Sequence, residues 1–104
     1  DPVSKILFSG DMGASMLDHR SALPAVGDFD AHVPHMFGFH RRHMVANKGC
    51  RYWPNMVRTL DIDMIVLQHG AHFEGAAMVK RFVDWIENLP CGTDLMTQAT
   101  YRVP

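Results

Sequence analysis

The 104 residues are poor in several things that would define a function class. There are only two cysteines, Cys50 and Cys91, with no CxxC spacing. That excludes a disulfide framework or a zinc ribbon, and it reads as a pair of free thiols in a reducing compartment, which places the protein in the cytoplasm. No apolar run approaches the roughly 18–20 residues of a membrane-spanning helix, and no basic segment leads into an apolar one as in an export signal. Charge of one sign is also lacking: the net charge is -1 and the sequence pI about 6.7. Neither nucleic acid nor an anionic membrane surface is therefore an expected partner. Repeats and low-complexity tracts are absent. With 47% hydrophobic and 20% charged residues, the composition suits one folded domain.

Histidine and methionine stand out instead. All seven histidines fall between His19 and His72, and eight methionines are scattered along the chain. Scattered Met is adaptable core filling, so the histidines carry the chemical interest.

The pattern along the chain is α/β. Asp1-Pro2-Val3-Ser4 has the residues of a type I turn, and a strand follows at Lys5–Ser9; the turn implies a hairpin whose first strand lies upstream. Residues 10–31, with Gly10, Gly13, Pro24, Gly27 and the aspartates Asp18, Asp28 and Asp30, read as loop with a short helical turn inside. Helical spacing runs from about Val33 to Leu60. Met36, Phe37 and Phe39 line one face of it, Gly49 can end a first helix, and Pro54 either opens a second or kinks a longer one. Met56, Val57 and Leu60 form an apolar stripe. Asp61-Ile62-Asp63 breaks the helix, and Met64-Ile65-Val66-Leu67 is a buried strand. The last helix, about Gly75–Leu89, has Val79, Phe82, Val83, Ile86 and Leu89 on one face, with Pro90 and Gly92 as its stop. Two apolar strands cannot satisfy their backbone groups or cover their faces alone, so the chain is expected to be part of a larger α/β domain.

Asp11 and His69 occupy matching contexts. Each ends an apolar strand and is followed by glycine or small residues, where catalytic and ligand groups collect in layered α/β folds. A carboxylate oxygen and an imidazole nitrogen suit zinc, iron or manganese. The plainer readings are that Asp11 is a turn residue or a helix N-cap in GDMGAS, and that His69 donates to a backbone carbonyl. His32/His35 and His40/His43 have i, i+3 spacing, which sets both rings of a pair on one side of a helix. No carboxylate accompanies them at regular intervals, and His40-Arg41-Arg42-His43 reads as a solvated basic face. His72, three residues after His69, is a candidate pocket or supporting residue. Neither cysteine has a base nearby in sequence.

ILFSGD followed by IVLQHG, with Asp11 and His69 fifty-eight residues apart, resembles the second half of a metallo-β-lactamase-fold domain. The resemblance is strongest to its diiron branch, the flavodiiron proteins and related oxygen-binding diiron proteins. It extends from DPVSKILFSGD to the helix ending FVDWIENL and implies an αββα sandwich of which this chain is the C-terminal portion. It further implies that Asp11 bridges two iron ions, that His69 is a terminal ligand to one, and that dioxygen or nitric oxide is bound or reduced there. The remaining ligands, an HxExDH-like cluster and one more His, belong to the upstream half. His32, His35, Phe39 and His72 are placed by position around the pocket. The same two ligands would serve a dizinc hydrolase acting on an ester, thioester or lactam, or a non-enzymatic oxygen sensor. No flavodoxin-like segment lies within these residues, and a homodimer is left open.

Overall fold

The computed structural model describes residues 1–16 and 25–100. Strand β1 (Ile6–Gly10) is followed by helices α1 (Phe29–His43) and α2 (Asn47–Val57), strands β2 (Met64–Leu67) and β3 (Phe73–Glu74), and helix α3 (Ala76–Glu87). Short 3-10 turns close the described chain at Gly92–Leu95 and Gln98–Thr100. The expected α/β class therefore stands. The helical turn expected within residues 10–31 falls partly on 17–24, outside the described residues.

The three strands form one sheet in the order β1-β2-β3. β1 and β2 run parallel with Leu7 opposite Ile65 and Phe8 opposite Val66, and the register slips between Phe8 and Gly10. β3 pairs antiparallel to β2 through Phe73 opposite Ile65. This third strand was not anticipated, because two residues are too short to show an alternating pattern. Side chains alternate between sheet faces. Ile65 and Leu67 face the helices, with Ile65 fully buried against Phe73, Phe82 and Ile86. Ile6, Phe8, Met64 and Val66 share the opposite face, and Phe8 remains 67% exposed.

α1 starts at Phe29, four residues before the expected Val33, because the Asp28 side chain accepts the Ala31 amide as an N-cap. It ends at His43, where Met44 turns extended. Gly49 does not end it; that glycine lies inside α2 on an exposed side, where the cost relative to alanine is about 1 kcal/mol. Pro54 also lies inside α2, buried. The buried line of α2 is Cys50, Pro54, Val57, and the helix stops there. The expected stripe is corrected accordingly: Met56 and Leu60 point to solvent, Leu60 because it lies past the helix end in a turn. The C-terminal helix matches expectation, with Val79, Phe82, Val83 and Ile86 buried.

Both ends of α2 are tied to the C-terminal part of α3. Asn47 donates its side-chain amide to the Glu87 and Leu89 carbonyls, at 2.9 and 2.8 Å. At the other end of α2, Arg58 reaches Asp84 and Glu87 at 2.8 and 2.6 Å. These are exposed pairs that contribute little individually. The junction brings the Cys50 and Cys91 sulfurs to 3.8 Å as free, buried thiols. Burial, and then the neighbouring Cys50, push the Cys91 thiol up to about 12, and burial also raises Cys50.

The buried line of α1 is Phe29, His32, Met36, His40. This corrects two expectations. Phe37 and Phe39 are only half-buried and do not share the Met36 face: Phe37 lies beneath Arg41, and Phe39 stacks on His43 at 4.4 Å. His40 is not part of a solvated basic face. Arg41, Arg42 and His43 are exposed, but His40 is fully buried, one turn beyond Met36. Its Nδ1 bonds the Met36 carbonyl at 2.9 Å, which makes Nδ1 the protonated nitrogen, and Nε2 accepts the Gly13 amide at 2.9 Å. Removal from water holds both His32 and His40 below the usual histidine range.

Two consequences can be measured. Above the ordinary histidine value of 6.5 both rings are neutral whether the chain is folded or not. Below it the unfolded chain takes up protons that the folded one refuses, so stability falls as pH drops through that value. The midpoint of urea unfolding is expected to be lower at acid than at neutral pH, and an unchanged midpoint contradicts two buried neutral rings. Both cysteines are expected to resist iodoacetamide in the native protein at mildly alkaline pH and to react on unfolding; rapid native labelling would show that the thiols are accessible.

Candidate metal centre

β1 and β2 are adjacent and parallel, so their carboxyl ends emerge on the same side of the sheet. The residues just past those ends are Asp11 and the Gln68-His69-Gly70 segment. Gln68 donates its amide to the Gly10 carbonyl at 2.7 Å, and Ser15 donates to the His69 carbonyl at 3.2 Å. Two backbone contacts thus lash the loop after β1 to the loop after β2, one on each side of the functional pair.

Asp11-Met12-Gly13-Ala14 is itself a turn, closed by the Ala14 amide on the Asp11 carbonyl at 3.0 Å. Its third residue needs positive φ, which Gly13 supplies at +96°. The same glycine lies on the core: a Cβ there would sit 2.9 Å from Leu67 and 3.0 Å from Phe82. Gly70, at φ +117°, lets its backbone press on Ser15, where a Cβ would clash with the Ser15 amide. The glycines that flank both polar residues are therefore required by backbone conformation and close approach.

Within this frame Oδ1 of Asp11 lies 3.9 Å from Nε2 of His69. That is too long for a hydrogen bond. Both side chains are more than half exposed, and neither has another side-chain partner among the described residues. Asp11 is a turn residue, as one plainer reading had it, but among the described residues its carboxylate caps no amide and the His69 ring holds no backbone carbonyl. Two donors about 2.1 Å from one cation lie at most about 4.2 Å apart, so the pair fits a shared ion. It is an incomplete set. No group of three or more His, Cys, Asp or Glu is placed to hold a metal ion among the described residues.

The other sequence candidates are engaged elsewhere. His72 bonds Glu74 through Nε2 at 2.8 Å, and its carbonyl accepts the Val26 amide at 2.9 Å. His32 is buried edge-on to Phe73, with Nε2 unpartnered, and its ring centre is 6.1 Å from that of the exposed His35. Phe39 packs on His40 and His43. Sequence reasoning missed His40, the one side chain in α1 that bonds the Asp11 turn. Its signal was the i, i+4 step from Met36, which was hidden by the two arginines beside it. Ser15 was missed as well; it is buried with its hydroxyl unpartnered, and nothing in its sequence context marks it.

Comparison with known proteins bears on the family and the fold. A family model described as ODP family beta lactamase matches residues 1–70. The solved peroxy diiron species of the chemotaxis sensor ODP is similar to the chain with a TM-score of 0.86 and 40% identity, over 97% of this chain and 42% of that one. The apo state of the chemotaxis sensor ODP from T. denticola is similar with a TM-score of 0.83 and 40% identity, over 97% and 41%. The chain thus spans about two-fifths of the length of the solved chains it matches. No curated protein matches. The small sheet and three helices correspond to part of a β-lactamase-like fold. On the family match over most of its length, the chain belongs to the ODP family of β-lactamase-like proteins.

Proposed function

We propose that the chain is the later half of a β-lactamase-like domain whose diiron centre binds dioxygen as a sensor, with Asp11 as the carboxylate shared by the two ions and His69 as the terminal nitrogen donor to one. The observation that carries the reading is the exposed Asp11–His69 pair, 3.9 Å apart at adjacent strand ends, in a family whose solved relatives include a peroxy diiron species of a chemotaxis sensor. Sensing is preferred to turnover on that likeness. Reduction of dioxygen or nitric oxide, and hydrolysis at a zinc pair, have no observation in their favour.

The chemistry supplied by such a centre, when bound, is capture of a diatomic ligand by two adjacent redox-active ions. The chain's own contribution is a donor pair held on a rigid base. Asp11 offers two oxygens that accept no amide among the described residues, so one carboxylate could face two cations. His69 offers a neutral nitrogen, and its other ring nitrogen needs an acceptor to fix the ring, which the upstream half is proposed to supply along with the missing ligands. The same half is proposed to cover the Ile6, Phe8, Met64 and Val66 face of the sheet. An exposed Phe8 in the middle of a strand supports an opposing layer there.

Anaerobically purified full-length protein is expected to hold two iron ions per chain; zinc in their place would favour the hydrolase. Asp11→Ala should lose most of the iron, and full occupancy in that variant would end the assignment. His69→Ala should lose about half of the iron and alter the optical change on oxygenation; an unchanged ratio and spectrum would remove His69 from the site. Steady consumption of dioxygen with reductant, rather than a reversible optical change, would replace sensing by catalysis.

A further inference from the structure

Resting on the reading of Asp11 as a ligand, we infer that His40 is a positioning residue for the metal centre, fixing the Asp11 turn to α1 through the Gly13 amide. Within the Asp11–Ala14 turn the amides are used locally: Met12 donates to the Ser9 carbonyl at 3.2 Å and Ala14 to the Asp11 carbonyl at 3.0 Å. Gly13 alone sends its amide out of the turn, to a side chain 27 residues later in sequence. That side chain is fully buried, and both its nitrogens are committed, one to Met36 on its own helix and one to Gly13. Its ring is further held edge-on to Trp85 at 5.4 Å and to Phe39 at 5.3 Å. Rotation of the imidazole would break two hydrogen bonds and two ring contacts together, so its acceptor atom is fixed in space.

The consequence reaches Asp11 because the turn has little freedom left. Its floor is Leu67, Phe82 and Phe73, which a Cβ on Gly13 would meet at 2.9 to 3.1 Å. Without the His40 acceptor the Gly13 amide is buried and unpaired, which is unfavourable because it has lost water without gaining a partner. The turn would relieve it by lifting toward water. A lift at Gly13 tilts the peptide planes that aim the Asp11 carboxylate, two residues away, at the position it shares with His69. His40 touches neither ligand; it acts through the backbone.

Full-length His40→Met and His40→Gln test this. Methionine fills the volume without an acceptor, whereas the glutamine side-chain oxygen can replace Nε2 toward Gly13. At a temperature where circular dichroism shows both variants folded, the methionine variant is expected to retain iron about 10- to 100-fold more weakly than wild type and to shift the oxygenation spectrum, while glutamine restores both. Wild-type iron retention and spectrum in His40→Met, or equal losses in the two variants, would overturn the inference and leave His40 a core residue only. If methionine prevents folding, glutamine decides alone: wild-type melting with a wild-type oxygenation spectrum supports the acceptor role, and wild-type melting with weakened iron retention refutes it. Asp11→Ala measured alongside separates the two layers. Iron kept in that variant defeats the ligand reading itself, whereas iron lost there but unchanged in His40→Met defeats only the role of His40.

Discussion

The parallel pairing of β1 with β2 is the constraint on which the site depends. Asp11 and His69 are 58 residues apart in sequence, and nothing local brings them together. The Leu7–Ile65 register does so, extended past the strand ends by the Gln68 amide on Gly10 and the Ser15 amide on the His69 carbonyl. Parallel strands cannot be joined by a tight turn. The connection here runs through α1 and α2: α1 lays Phe29 and His32 on Phe73 of β3, and α2 packs on α3, which itself lies against β2 and β3. The crossover that parallel pairing requires thus supplies part of the core, with α3 supplying the rest, and it supplies His40 as well.

The slip in register between Phe8 and Gly10 has a place in this scheme. A regular ladder would continue with each residue of β1 opposite the next residue of β2. Instead Ser9 is passed over, and Gly10, at φ +62°, faces Leu67. Bulges bend a strand and re-aim the side chains that follow. Ser9 turns its hydroxyl to the Met12 carbonyl at 2.8 Å, so the skipped residue braces the turn that carries Asp11. Strand end, bulge and turn form one continuous device for presenting a carboxylate to solvent from a buried sheet.

What could be read from the sequence was what local pattern encodes. Met64–Leu67 announced itself as an apolar run between breakers, and the helix around Val79–Ile86 by its spacing. Asp11 and His69 were visible because a polar residue at the end of such a run, beside a glycine, has no packing use. Boundaries that depend on a single cap were lost: Asp28 started α1 earlier than its apolar spacing suggested, and Met44 ended it by turning extended rather than through Gly49. His40 was misread because charge in adjacent residues dominates a linear reading, whereas burial in a helix is decided three and four positions away. Met56 and Leu60 failed for the opposite reason, since spacing persists past the point where the helix stops.

If, as proposed, the donor set is divided between two halves of a domain, that changes what metal binding means for this chain. One oxygen donor and one nitrogen donor, both largely exposed, hold a cation weakly on their own. On the proposed reading the affinity comes from donors brought by the upstream half, which would be attached through the apolar sheet face behind the same strands. Ile6 and Phe8 on one side of β1, and Asp11 at its end, are then parts of one interface. Assembly of the proposed sandwich and completion of the proposed metal site would bury the same strand, so each would favour the other, as expected when a metal binds the folded state and no preformed site exists without it. On the proposed reading, a ligand that alters the coordination at Asp11 would act on the junction between the two halves, beside the Gly13–His40 hydrogen bond that ties the turn to α1.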